Sequence, residues 1–270
     1  MDAEELLAKY EEEERNFQKV KLVGVELKGA DLTEIDLSYA DLTGADLSEA
    51  NLTKAKLSNT NLSRASLEGA NLSGVEINST NLSLADLRGA NLSGANLSSS
   101  NLINANLDQA NLTGANLSYA NLTRAALSEA KITGANLQNT NLTGADLNGA
   151  DLSRSNLSGA NFQDVTIQGA KLKAVNLNQF NLSGLKLDNV DLSGADLTNA
   201  NLKKASLQGA NLERSSLQGA NLIKANLKKA NLKRADLTDA RTYGANIKDI
   251  DLAGAIMPDG EIFTPEDSKK

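Results

Sequence analysis

The stretch Ala90-Asn91-Leu92-Ser93-Gly94-Ala95-Asn96-Leu97-Ser98-Ser99 contains one five-residue unit twice, and the unit continues in both directions. Working outward, positions 22, 27, 32 and so on to 252 form a single register of 47 sites, and all but Thr242 hold Leu, Ile or Phe. A small residue, usually Ala, stands two places before each site, and Asn or Asp usually stands directly before it. A repeat at fixed spacing outranks any local reading of secondary structure.

Period five excludes the ordinary elements. An α-helix turns about 100° per residue, so Leu at every fifth position scatters around the cylinder and no buried stripe forms. In a straight strand, side chains alternate, so residues five apart point to opposite faces. A short extended piece followed by a two-residue bend satisfies the pattern. The small residue and the Leu then point inward, and the Asn or Asp between them points outward. Of the 20 glycines, 19 lie two residues after the central apolar site, in the phase where a bend needs φ > 0. Ser or Thr often precedes the glycine, as in Leu42-Thr43-Gly44, where a hydroxyl can bond to turn backbone.

Ala90-Asn91-Leu92-Ser93-Gly94 and Ala145-Asp146-Leu147-Asn148-Gly149 match the Ala-(Asp/Asn)-Leu-x-x motif, and residues 20–254 resemble the pentapeptide repeat family. The resemblance implies an all-β solenoid, a right-handed quadrilateral β-helix of about twelve four-sided coils with a short N-terminal α-helical cap. At about 4.8 Å per coil, the expected rod is about 55–60 Å long, with each coil touching only its neighbours. The unbroken phase predicts no projecting loop.

The expected organisation is a helical cap over 1–19, the repeat β-helix over 20–257 and a C-terminal cap with a loose tail over 258–270. Ala3, Leu6, Leu7 and Tyr10 share one helical stripe, and Asp2 with Glu5 has capping spacing. The acidic run Glu11–Glu14 opposes the helix dipole and predicts a frayed end. This helix reads as a lid over an otherwise open coil edge. Both prolines, Pro258 and Pro265, follow the last repeat, where a missing N–H blunts strand addition. Ile256, Met257, Ile262 and Phe263 are expected to fold over the last coil, with Glu266–Lys270 loose. The Leu6-Leu7-x-x-Tyr10 helix and the Met257-Pro258-Asp259-Gly260 segment resemble the flanks of cyanobacterial members of the family.

The composition narrows the function. Histidine and cysteine are absent, which removes the commonest general base, the commonest metal ligand and the thiol nucleophile. Asp31, Asp36, Asp41 and Asp46 follow each other at five-residue steps, so they face four sides of the coil and do not converge. The expectation is a protein with no enzymatic activity and no cofactor or metal. No basic leader and no long apolar segment is readable, which predicts a cytoplasmic protein that does not engage a membrane.

Sorted by twenty-residue stacking, the four faces carry net charges of +5, −4, +2 and −4, beginning with that of Leu22. Residues 20–254 sum to −1, and most of the formal −7 comes from the ends. Lys203, Lys204, Lys224, Lys228, Lys229, Lys233, Arg234 and Arg241 form a late basic cluster, the candidate interaction patch. No aromatic platform for stacking bases is evident beside it, so direct nucleic acid binding is not expected. Leu84, Ile103, Ile223, Tyr39 and Tyr119 read as isolated exposed side chains.

The large inward residues Val165, Val175, Phe180, Leu185 and Val190 replace Ala and predict a local bulge centred on Phe180. The reading that follows is a monomeric structural or interaction scaffold for an unidentified protein partner. The alternative implied by the resemblance is a DNA mimic acting on DNA gyrase or topoisomerase, which requires a dense negative field that this charge tally lacks.

Overall fold

The structure, a computed structural model, describes residues 1–264; Pro265 and the tail expected to be loose lie outside the described residues. From Asn16 to Ile256, every fifth residue occupies a one-residue bridge. Its parallel partner lies twenty residues away, as in Asn51 with Asn71 and Asn211 with Asn231. Each coil is therefore four pentapeptides, and the chain forms a β-helix solenoid preceded by one short helix. The coils belong to two compact units, Met1–Asp146 with Gly159–Gln163, and Leu147–Ser158 with the chain from Asp164 onward.

One pentapeptide of the first unit shows why the unit repeats. Leu92 N–H donates to Asn111 C=O of the next coil at 2.7 Å, and Asn91 N–H donates to Ala70 C=O of the previous one at 2.9 Å. The bend closes when Ala95 N–H returns to Leu92 C=O at 3.0 Å, with Gly94 at φ 65°. The same left-handed position holds many residues other than glycine, including Tyr39 at φ 62° and Leu84 at φ 60°. Such a backbone costs an ordinary side chain about 1–2 kcal/mol. The stack supplies the compensation, since its backbone groups are paired above and below.

The outward Asn adds a second ladder. Asn91 Oδ1 accepts from Ser93 N–H at 3.2 Å, and Asn91 Nδ2 donates to Asn71 Oδ1 at 3.2 Å. Asn111 Nδ2 donates in turn to Asn91 Oδ1 at 3.1 Å. An amide both donates and accepts, so Asn propagates the column, whereas an ionised Asp only accepts and begins one. Asp31 under Asn51 does so in the first unit, and Asp191 under Asn211 does so in the second.

The interior is filled by Leu and Ala that are almost completely buried, each buried Leu stabilising by about 1.5–3 kcal/mol. Where a hydroxyl replaces Ala it is bonded: Thr60 donates to Leu37 C=O at 2.9 Å and Thr140 to Leu117 C=O at 2.8 Å. No buried side-chain polar atom among the described residues lacks a partner.

The second unit departs from this regularity where the large inward residues occur. Phe180 and Leu185 are only half-buried. Among the described residues, Ile167 and Lys186 do not form the rung between them, although Gly169 N–H still reaches Asp188 C=O at 3.2 Å. A cavity of about 360 Å³ opens there, lined by Val165, Ile167, Leu185, Lys186 and the turns beside them. The bulge expected at Phe180 is centred elsewhere: Phe180 C=O still accepts from Asn201 N–H at 2.8 Å, and the rungs part on the next face, at Val165 and Leu185, where side chains larger than Ala meet.

At the N-terminus, α1 (Ala3–Glu11) is capped by Asp2, whose carboxylate accepts from Glu5 N–H at 2.9 Å. Leu6 is fully buried, and Tyr10 donates its hydroxyl proton to Thr33 C=O at 2.8 Å, which seats the helix on the first coils. Arg15 stacks over the Tyr10 ring, 3.7 Å from its centroid. The helix stops inside the acidic run, with Glu12 as C-cap and Glu13 at φ 68°.

The C-terminal end differs from expectation. The coil path runs on through Pro258, which accepts from Asp239 N–H at 3.0 Å, and Gly260 N–H closes the usual bend to Met257 C=O at 2.9 Å; the chain then turns back, Glu261 C=O accepting from Met257 N–H at 2.7 Å. Ile262 then pairs antiparallel with Ile256, and Phe263 N–H returns to Ala255 C=O at 2.8 Å. This hairpin covers Ala255 but leaves Ile262 64% exposed, and among the described residues no layer lies above the rung holding Thr242 and Ile247. Ile247, an inward site by register, is 55% exposed for that reason.

Candidate interaction surface

The basic cluster is distributed over three faces of the second unit. Lys203, Lys204, Lys224 and Arg241 share the Leu222 face, and Lys228 and Lys229 lie on the next, with Lys248 one coil beyond. Lys233 and Arg234 lie on the third, where Lys233 pairs with Asp251 at 3.0 Å. The hydrogen bond from Lys233 and that from Ala253 N–H hold the Asp251 carboxyl below its usual range. Arg214 on the same face lies 3.7 Å from Glu213.

The first two faces behave differently. Among the described residues, none of Lys203, Lys204, Lys224, Lys228, Lys229, Arg241 and Lys248 has a carboxylate within ion-pairing distance. The twenty-residue register puts Lys204 beside Lys224, and Lys228 beside Lys248, in neighbouring coils. Like charges opposed across a sheet destabilise it. In the first unit Lys28 pairs with Glu49 at 3.2 Å and Arg88 with Asp86 and Glu68, whereas Arg64 and Arg124, at the repeat position of Lys204 and Lys224, have no carboxylate within ion-pairing distance among the described residues but do not follow one another in neighbouring coils.

Sequence reasoning missed one component. Tyr243 is 81% exposed and belongs to the column of Lys203 and Ile223, so an aromatic ring does accompany the lysines. Its signal was Thr242, the one break in the apolar register, which marks the rung where the solenoid ends on this face. Ile103 and Ile223 prove half-buried, whereas Leu84, Tyr39 and Tyr119 are exposed as expected.

Elsewhere the carboxylates are dispersed. Thr43 donates its hydroxyl at 2.6 Å and its N–H at 3.1 Å to Asp41, and these bonds hold the Asp41 carboxyl below its usual range. Asp31 and Asp46 are lowered in the same way by Thr33 and Ser48. These carboxylates are spent on turn backbone. Among the described residues no group of three acidic side chains could hold a metal ion.

Comparison with known proteins agrees with this architecture. The sequence model described as Pentapeptide repeats matches eight copies, in segments running from 16–49 to 215–257. No curated protein matches the sequence. Among solved structures, the chain is similar to HetL, a pentapeptide repeat protein involved in heterocyst differentiation regulation from the cyanobacterium Nostoc sp. strain PCC 7120. The identity is 36% over 97% of this chain and 100% of that one, with a TM-score of 0.49. It is also similar to Rfr23, from the cyanobacterium Cyanothece 51142, at 27% identity over 60% of this chain and 92% of that one, TM-score 0.16. A trypsin-treated form of QnrB1, a plasmid-mediated fluoroquinolone resistance protein, matches at 20% identity over 65% of this chain and 89% of that one, TM-score 0.36. With its repeats matched along nearly the whole solenoid, the chain belongs to the pentapeptide repeat family.

Proposed function

We propose that this protein is a non-enzymatic interaction scaffold of the cytoplasm, a right-handed β-helix of about twelve coils that binds a protein partner through the basic surface of its second unit. The supporting observation is the set of seven cations on two adjacent faces with no carboxylate within ion-pairing distance among the described residues. Their repulsion is a cost that an acidic partner would relieve. The other side chains on offer, Asn ladders and carboxylates bonded to their own turns, are already satisfied by the fold.

Affinity capture from the native lysate tests the reading. The intact protein is compared with a K203E/K204E/K224E/K228E variant shown by circular dichroism to keep its fold. We expect a partner that is retained by the wild type, released by salt and absent from the variant. Identical retention by both proteins would overturn the assignment of the surface.

A further inference from the structure

The basic corner coincides with an unfinished rung. On most of the solenoid, an inward residue donates its N–H to the next coil, as Leu222 does to Arg241 C=O at 2.9 Å and Leu227 to Asn246 C=O at 2.8 Å. One coil further on, the hairpin at Met257–Glu261 has taken the chain away. Among the described residues, the N–H groups of Thr242 and Ile247 have no acceptor, and the carbonyls of Ala240 and Ala245 have no donor. Both donors and both acceptors lie beside an apolar surface, since Ile247 is 55% exposed. They are also rimmed by Arg241, Lys224 and Lys228.

We propose that residues 240–249 form an acceptor edge for an extended acidic segment of the partner protein, which adds to the solenoid as one further rung. The proposal rests on the scaffold reading and specifies its partner. The register fixes the chemistry. A residue placed over Thr242 or Ile247 points inward and must be apolar. The residue before it stands over Arg241, in the outward column that runs Asn201, Asn221, Arg241. A carboxylate fits there, where Asn221 would otherwise be followed by an unpaired guanidinium. The segment therefore carries an acidic residue directly before an aliphatic one, with main-chain bonds giving affinity and side chains giving specificity.

A polypeptide is favoured over a nucleic acid or a lipid surface by the size of the patch. The unpaired cations occupy two faces over three coils, about 14 Å along the axis at the spacing of paired strands. The adjoining face of the same coils carries Asp196, Asp236 and Asp239. A long duplex or a membrane plane would meet these carboxylates as well; a short acidic segment would not.

The test uses the full chain and a fluorescein-labelled peptide of two Ala-Asp-Leu-Thr-Gly units, the sequence of residues 40–44. It is compared with the same peptide carrying N-methyl aspartate, since the N–H of the outward residue is the one that donates to the coil before it, as Arg241 N–H does to Ala220 C=O at 2.9 Å, with a version having Lys for Asp, with a 15-mer of thymidine and with phosphatidylserine vesicles. Anisotropy should rise with the acidic peptide. The apparent affinity should fall at least tenfold for the lysine peptide, for the N-methylated peptide and for the R241E/K224E protein. Equal binding of the N-methylated peptide would show that the open rung is not used, and tighter binding of the oligonucleotide or vesicles would reassign the surface to phosphate. Absence of peptide binding also overturns the proposal. If lysate capture still depends on Lys203 and Lys204 in that case, the scaffold reading survives without it.

Discussion

The pentapeptide assigns each of its residues one physical task, and two of these tasks can be measured directly. The fourth position must adopt φ > 0, and Leu84 does so at φ 60° with its side chain 51% exposed, so little packing is lost when it is removed. Leu84→Gly should relieve about 1–2 kcal/mol of strain, partly offset by the greater freedom of glycine in the unfolded chain. The expected outcome is a rise in the urea midpoint worth at most about 1 kcal/mol; a fall would show that Leu84 contributes packing that its exposure conceals. Gly159 is the opposite case, because an added Cβ would run into the Asn139 side-chain oxygen at φ 71°. The second task belongs to Asp41, whose carboxyl is held low first by the Thr43 hydroxyl and then by the Thr43 N–H. A depressed folded pKa means that the stabilisation is present above the unfolded value of about 3.9 and is lost as pH falls through the folded value. In Thr43→Val the Asp41 titration, followed by carboxyl carbon chemical shift, should move upward, and the stability that Asp41 loses on acidification should become smaller and be complete at a higher pH. An unchanged midpoint would show that the hydroxyl bond contributes nothing to the ionised form.

At the scale of elements, the end structures are what separate a stable solenoid from an aggregating one. The helix α1 brings Leu6 to full burial and fastens Tyr10 to Thr33, so it covers a coil edge that would otherwise be available for pairing. Deleting residues 1–12 leaves the Asn16–Asp36 bridge in place and uncovers that edge. The truncated protein should show concentration-dependent association by light scattering, reversed by Leu6-containing α1 peptide; a strictly monomeric truncation would show that the helix is no lid. Much of this was legible in the sequence. The Leu and Ala columns, the αL phase of the glycines and the Asp2 cap follow from spacing and steric rules that act within a few residues. The open rung at Ile247 was not legible, because Ile247 keeps the repeat and its exposure depends on where a hairpin ten residues later sends the chain. The strain at Phe180 was readable as volume, yet the cavity at Val165 and Leu185 depends on how the rungs share that volume. Ion pairing was the least legible feature: Lys233 and Lys229 look alike in sequence, and only the coil register gives Asp251 to Lys233.

At the scale of the molecule, charge density decides between a scaffold and a DNA mimic. A duplex presents about one negative charge per 1.7 Å, which is about three for each advance of one coil. The solenoid carries a net charge of −1 over residues 20–254, far below what twenty-residue coils would need to reproduce that field. The formal −7 of the whole chain does not repair the deficit, because much of it resides in the acidic segment around α1. The cations at Lys203, Lys204, Lys224, Lys228 and Lys229 add a region that a DNA-binding groove would repel. The Asn ladders that stabilise the coils explain the shortfall: each Asn that propagates a column by donating and accepting occupies a site where a mimic would need a carboxylate. The expected outcome is that micromolar protein neither inhibits DNA gyrase in a supercoiling assay nor protects it from a quinolone. Inhibition or protection that weakens as salt rises would show that a field this weak suffices, and the DNA-mimic reading would replace the scaffold.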